Sequence, residues 1–225
     1  MMLKEMKGRA VIIAISEFHN RQGESLDKRK GVKRDANRLF KVLTHLDYKV
    51  SLHMDVSAKE IKDIYQKESK MPQGGCFISI LSSHGDEGLI YDFYGEPVLL
   101  RDLYNILAPH NSPLLAGVPK LFFVQACRGV QFDEGVFLET DDSVLMFASS
   151  EGHVAFQNPG GSVFLQTLCK LLDGEERNLE LHQILIRLAH MVAYTFQSQG
   201  QYGGYKEMPC YTTNLTQELH PFSQS

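Results

Sequence analysis

The stretch from Pro119 to Gly129, PKLFFVQACRG, indicates how this chain folds. A short apolar run bounded by turn-forming residues is typical of a buried strand in a parallel sheet. Such strands usually stop at a turn residue, but this one stops at the thiol of Cys127, followed by an arginine and a glycine. The sequence therefore places a potentially reactive group where a buried strand opens into solvent.

Length and composition limit the class of protein. The chain has 225 residues, 43% of them hydrophobic, and a net charge of −4. These values predict one domain with a proper core and argue against bulk electrostatic binding to nucleic acid. No apolar run reaches membrane-spanning length, and the first ten residues lack the apolar stretch of a signal peptide. We therefore expect a cytosolic, soluble protein without a membrane partner.

The cysteines argue against a metal site. The four thiols are Cys76, Cys127, Cys169 and Cys210. None belongs to a CxxC pair and no histidine lies at zinc-finger spacing, so we predict neither metal nor cofactor. Disulfides are not expected in a cytosolic protein. All except Cys127 are predicted to be buried thiols.

Strands and helices alternate along the chain. Predicted strands cover residues 9–16, 48–55, 76–84, 119–127, 144–150 and 210–216. Predicted helices cover residues 33–46, 58–69, 161–173 and 178–196. Ser57 and Glu60 have the spacing of a capping box at the start of the second helix. Alternation of this kind predicts an α/β fold with a mostly parallel sheet covered on both faces.

Two chemically active side chains end predicted strands. Ser83-His84-Gly85 closes the third strand and Cys127 closes the fourth. Open α/β sheets bind ligands at the carboxyl ends of their strands, so an imidazole and a thiol would emerge together if these strands are neighbours. A lone cysteine there is usually a core thiol, and a loop histidine is usually just solvated. Their joint placement beside glycines favours thiol catalysis, with backbone amides free to hold an oxyanion.

Several ordered motifs resemble those of the caspases. Gln125-Ala126-Cys127-Arg128-Gly129 matches that family's nucleophile signature, and His84 stands upstream as its histidine does. Further similar segments lie at residues 29–37, 151–168 and 208–219. The similarity extends from residue 9 to about 220, so the chain is identified as a member of the family, and we expect it to lack a recruitment prodomain.

The resemblance implies the domain organisation. A caspase-like three-layer α/β/α fold around a mostly parallel six-stranded sheet would occupy residues 1–225 as a single catalytic domain. Residues 1–141 would correspond to the large subunit and residues 142–225 to the small one, with a short linker at about 129–143.

The resemblance also implies roles for individual residues. Cys127 would be the nucleophile and His84 its proton acceptor, with the amides of Gly85 and Cys127 as the oxyanion hole. Arg29 and Gln125 would bind the aspartate side chain before the cut. The neighbouring substrate contacts would come from Val154, Ala155, Phe156 and Gln157.

Gln157 departs from the family pattern. Active caspases usually have a second arginine at its aligned position, and glutamine brings no charge. A hydrogen bond to a charged group is worth about 1.5–3 kcal/mol against roughly 1 kcal/mol for a neutral one, so weaker binding of aspartate is expected.

The linker and the partners leave alternatives open. Leu138-Glu139-Thr140-Asp141 resembles a caspase cleavage sequence, with the cut after Asp141, although an ordinary acidic loop that stays uncleaved would look the same. The main hypothesis is a zymogen-type endopeptidase of apoptosis-like signalling that acts as a homodimer through residues 210–216. It would be located in the cytoplasm, with the nucleus as a second location. The alternatives are a weakly active or inactive protein that regulates a true caspase by heterodimerisation, and a distant relative that cuts after basic residues.

Overall fold

A computed structural model describes residues 7–19, 26–86, 88–127, 142–149, 157–195 and 206–223. The strands are β1 Gly8–Ala14, β2 Tyr48–Met54, β3 Cys76–Ser82, β4 Gly85–Asp86, β5 Leu89–Tyr91, β6 Pro97–Leu99, β7 Lys120–Gln125, β8 Ser143–Phe147, β9 Gln157–Asn158, β10 Gly161–Ser162 and β11 Cys210–Thr213. The α-helices are α1 Val32–His45, α2 Ala58–Glu68, α3 Leu100–Ile106, α4 Val163–Asp173 and α5 Leu181–Thr195.

A six-stranded sheet forms the centre of the molecule. Its order is β11-β8-β7-β3-β1-β2, and every neighbouring pair is parallel except β11 with β8. The mostly parallel six-stranded sheet predicted from the sequence is thus confirmed. Parallel neighbours align their carboxyl ends at one edge of the sheet, which is where ligands bind in open α/β folds.

Helices cover both faces of this sheet because its central strands are apolar on both sides. Ile12 packs in a cluster with α1, α4 and α5, whereas the next residue, Ile13, packs in a second cluster with α2 and α3. Successive side chains of a strand point to opposite faces, so a continuous apolar run requires two covering layers. The three-layer arrangement is therefore confirmed.

Local hydrogen bonds explain where helices begin. The predicted capping box of α2 is present, with Ser57 and Glu60 satisfying each other's backbone N–H groups. Helix α4 begins at Val163 and not at residue 161, because the Ser162 side chain accepts the N–H of Leu165 as its N-cap.

Three findings differ from the sequence predictions. A small antiparallel sheet, β4-β5-β6, and helix α3 lie between β3 and β7, where the sequence analysis predicted no elements. Strand β11 ends at Thr213 because a turn follows, in which the Thr213 hydroxyl accepts the N–H of Leu215. Cys210 is partly exposed, so its predicted burial was wrong, since it lies on an edge strand.

Two thiols are buried as predicted. Cys76 and Cys169 lie in the core, and burial raises the pKa of each to about 12. They are therefore protonated and unreactive at neutral pH. Within the described ranges, no helix is both long and apolar enough to cross a bilayer.

Candidate active site

The carboxyl ends of β3 and β7 lie side by side. Ser82 is the register partner of Gln125, and the Ser83 N–H donates to the Gln125 carbonyl oxygen at 3.1 Å. His84 and Cys127 lie two residues beyond Ser82 and Gln125, respectively. The sequence left open whether these two strands are neighbours, and the register shows that β3 and β7 are paired. The imidazole and the thiol therefore leave the sheet at the same edge.

The chain that follows β7 packs closely against Gly85. A Cβ atom added there would lie 2.9 Å from the Cβ of Ala126 and 3.3 Å from the carbonyl oxygen of Cys127, so the position favours glycine. The Tyr91 N–H donates to the His84 carbonyl oxygen at 2.9 Å, which makes Gly85 a non-hydrogen-bonded position opposite β5. The Gly85 N–H is thus not used in that ladder and can serve a developing oxyanion.

A backbone contact sets the tautomer of His84. Its Nε2 lies 2.9 Å from the carbonyl oxygen of Asp27, which can only accept, so Nε2 carries the proton. Nδ1 then has the lone pair that can take a proton from a thiol. Burial lowers the pKa of His84, and the nearby Arg29 cation lowers it further against the opposing effect of the Asp27 contact. The imidazole is therefore neutral, as a base must be, at neutral pH.

Arg29 is an enclosed cation in the same region. It is 8% exposed, its Nη1 donates to the carbonyl oxygen of Ile15 at 3.0 Å, and both Nη atoms lie 3.2 Å from Ser82 Oγ. Burial lowers the pKa of Arg29 to about 10, while interactions with Cys127 and Asp35 oppose the shift. The guanidinium therefore remains charged at neutral pH and interacts electrostatically with Cys127.

Gln125 contributes a buried amide beside this cation. The side chain is 1% exposed, and its Oε1 accepts no hydrogen bond from any residue that the structure describes. An unsatisfied buried polar atom costs about 1–3 kcal/mol, so it is seldom retained without a partner. Ser82 is both the register partner of Gln125 and the residue that holds Arg29. The Gln125 amide and the Arg29 guanidinium therefore both lie next to Ser82, the last residue of β3.

Several predicted positions fall outside the described residues. These are Val154, Ala155, Phe156 and Asp141. The backbone of Gln157 opens β9, where Gln157 pairs with Ser162 of β10.

Sequence reasoning missed the residues that hold the site in place. The Asp27 carbonyl and the Ser82 hydroxyl contact His84 and Arg29, as described above. Asp55, at the end of β2, accepts the Ser16 N–H at 2.6 Å, and the Ser16 carbonyl in turn accepts the Arg29 N–H at 3.0 Å. Nothing in the sequence identifies these residues as part of the site. Asp27 and Ser16 act through backbone groups, and every one of these contacts joins segments that are distant along the chain.

Comparisons with known proteins point to one family. The family model described as the caspase domain matches residues 7–220. Caspase-7 of Gallus gallus is 34% identical over an alignment 239 residues long, gaps included, which covers 95% of this chain and 76% of that protein. Caspase-3 of Bos taurus is 32% identical over an alignment 235 residues long, gaps included, which covers 95% of this chain and 84% of that protein.

A solved structure shares the whole architecture. The crystal structure of caspase-1 from Spodoptera frugiperda superposes with a TM-score of 0.87 at 28% identity. The match covers 98% of this chain and 93% of that one.

Proposed function

The chain belongs to the caspase family of cysteine endopeptidases, and we propose that it cleaves peptide bonds after aspartate with Cys127 and His84 as its catalytic pair. The observation that carries the proposal is the buried Arg29 guanidinium beside the strand ends that present both groups. A carboxylate is very costly to desolvate unless a cation and hydrogen bonds replace water. Arg29 and the Gln125 amide supply that environment for a short acidic side chain.

The proposed reaction begins with proton transfer. The Cys127 thiol gives its proton to Nδ1 of His84, and the sulfur attacks the backbone carbonyl carbon of the substrate aspartate. The N–H groups of Gly85 and Cys127 bind the oxyanion, an interaction commonly worth a factor of about 10² or more in rate. When the tetrahedral intermediate collapses, His84 protonates the leaving amine. Water, deprotonated by His84, then hydrolyses the acyl-enzyme and frees the thiol.

Peptides that differ only in the residue before the cut test this function. We expect turnover of the aspartate peptide, little turnover of asparagine and glutamate peptides, and none by Cys127→Ala. The asparagine peptide is the matched control, since it has the same shape without the charge. Cleavage after arginine or lysine would instead support the distant relative that cuts after basic residues.

Strand β11 supports a proposed dimer. It forms one edge of the central sheet, and Thr212 and Thr213 on it are exposed. An open edge strand offers backbone donors and acceptors to another strand, so a second copy of this chain could pair there. Sedimentation analysis tests this proposal: a monomer at concentrations that support full activity would refute it.

The second candidate function is regulation of a true caspase through the same edge. The glutamine at position 157, where active members usually have arginine, favours it. Mixing the protein with an active caspase distinguishes the two functions. Changed activity of the partner, without turnover of any peptide by this chain alone, would support regulation.

Processing is a separate part of the proposal. A cut after Asp141 would divide the chain into its two subunit-like parts, as expected of a zymogen in apoptosis-type signalling, in the cytoplasm or the nucleus. Intact-mass spectrometry of protein isolated from its source checks this. Fully active protein that is uncut at Asp141 would contradict processing without affecting the proposed specificity.

A further inference from the structure

Asp35 joins the segment that carries Arg29 to the hairpin that carries Gln157. It lies in the first turn of α1 and is 1% exposed. Its Oδ2 accepts the backbone N–H of Ser162 at 2.8 Å, and its Oδ1 accepts Nε2 of Gln166 at 2.6 Å. Both partners are far from Asp35 along the chain. One buried carboxylate therefore connects the start of α1 with the β9-β10 hairpin and the first turns of α4.

The hairpin backbone rests directly on this carboxylate. Gly161 has a φ of 114°, a conformation that favours glycine, and a Cβ atom there would overlap Asp35 Oδ1. Ser162 is the register partner of Gln157. The Asp35 carboxylate therefore binds the hairpin residue that pairs directly with Gln157.

The groups around Asp35 require each of its two oxygens to accept a hydrogen bond. Arg38 donates from Nη1 to Oε1 of Gln166 at 2.6 Å, which turns the Gln166 amide so that its NH₂ group faces Asp35. Asp35 is the one acidic residue of α1, and it interacts electrostatically with the Arg29 guanidinium. A carboxylate therefore suits this position in both hydrogen bonding and charge.

We propose that Asp35 is a positioning residue for the substrate pocket, holding the β9-β10 hairpin at a fixed distance from Arg29. The proposal rests on the proposed function, since it takes Arg29 and the hairpin as two walls of the aspartate pocket. Asp35 itself contacts neither substrate nor the reacting atoms. Its loss should therefore weaken substrate binding and leave the chemistry at Cys127 and His84 largely intact.

Exchanging the donor and the acceptor between positions 35 and 166 tests the contact between Asp35 and Gln166. In Asp35→Asn, the Oδ1 atom of the new amide can still accept the Ser162 N–H, but its Nδ2 faces the Gln166 NH₂ group, donor against donor. In Gln166→Glu, two carboxylates face each other. The double variant restores complementarity and net charge, because the introduced asparagine amide would donate to the introduced glutamate carboxylate, whose other oxygen accepts the Arg38 donor.

We expect each single variant to raise KM for an aspartate peptide by about tenfold, with kcat changed by less than about threefold. The double variant should return KM to within about threefold of wild type. Asp63→Asn is the matched control, since Asp63 lies on the exposed face of α2 and pairs with Lys59, one turn away on the same helix. A merely structural role would lower thermal stability without this recovery in KM.

Amide hydrogen exchange at Ser162 gives a reading that does not depend on turnover. Protection should fall in Asp35→Asn, because repulsion between the asparagine Nδ2 and the Gln166 NH₂ group displaces the side chain from the Ser162 N–H, and it should return in the double variant. Unchanged protection and KM in Asp35→Asn, or no recovery of either in the double variant, would overturn the positioning role. If the wild type cleaves no aspartate peptide, the proposed function fails, and the pattern of Ser162 protection still decides whether Asp35 holds the hairpin.

Discussion

Replacing Arg29 by alanine should remove most of the preference for aspartate. The guanidinium is 8% exposed and keeps its charge, with a pKa of about 10. A substrate carboxylate that reaches it would accept two charge-assisted hydrogen bonds, each worth about 1.5–3 kcal/mol, or about 3–6 kcal/mol together. Since about 1.4 kcal/mol corresponds to tenfold, kcat/KM for an aspartate peptide should fall by about 10²–10⁴.

An asparagine peptide isolates the charge in this measurement. An asparagine side chain offers the guanidinium one acceptor oxygen, and a single hydrogen bond from a charged donor is worth about 1.5–3 kcal/mol. Arg29→Ala should therefore reduce kcat/KM for the asparagine peptide by only about 10–10²-fold. The ratio of aspartate to asparagine cleavage should therefore drop by about tenfold or more. Arg29→Lys, which keeps the charge without the fork, should give an intermediate ratio.

Controls separate recognition from folding in this experiment. Arg29 also donates to Ile15 and Ser82, so its loss leaves those acceptors without this donor. Thermal unfolding and the alkylation rate of Cys127 by a small neutral reagent check that the fold and the thiol are preserved. If the variant is folded and keeps the wild-type ratio of aspartate to asparagine cleavage, Arg29 does not recognise the substrate carboxylate.

Three further results are expected. Burial lowers the pKa of His84, and its neutral form is the base, so the decline of kcat/KM at acid pH should be centred below 6.5, the ordinary pKa of histidine; a decline centred well above pH 6.5 would argue against this base. Gln157→Arg should raise kcat/KM for aspartate peptides by about tenfold, since it adds a charge-assisted bond, whereas unchanged or lower efficiency would mean that position 157 does not face the pocket. Glu68→Ala should lower the free energy of unfolding in urea by about 3–5 kcal/mol, because the buried Arg9 charge loses its partner; Arg9 Nε lies 2.6 Å from Glu68 Oε2. A loss below about 1 kcal/mol would show that Arg9 finds other partners or water.

The elements that could be predicted are those with short-range signals. The apolar runs at β1, β3 and β7 identify buried strands, and the Ser57–Glu60 spacing identifies the start of α2. The small sheet β4-β5-β6 was missed because its strands are two or three residues long, too short for a periodic pattern.

The candidate site was partly predictable for the same reason. Cys127 and His84 could be named because each ends a strand and belongs to a recognisable motif. Asp27 and Asp35 could not be assigned their contacts, since the partners are a distant side chain for one and a distant backbone N–H for the other. Such contacts depend on how packed elements are aligned, which no local pattern encodes.

The amino-acid sequence alone determined that this chain forms a doubly covered α/β sheet with a thiol and an imidazole at strand ends, because hydrophobic periodicity and capping act over a few residues. Only the tertiary structure decided that β3 and β7 are neighbours, that the Asp27 carbonyl selects the His84 tautomer and that Arg29 is buried beside them. Those outcomes follow from strand order and register, which are fixed by simultaneous packing and hydrogen bonding across the whole domain.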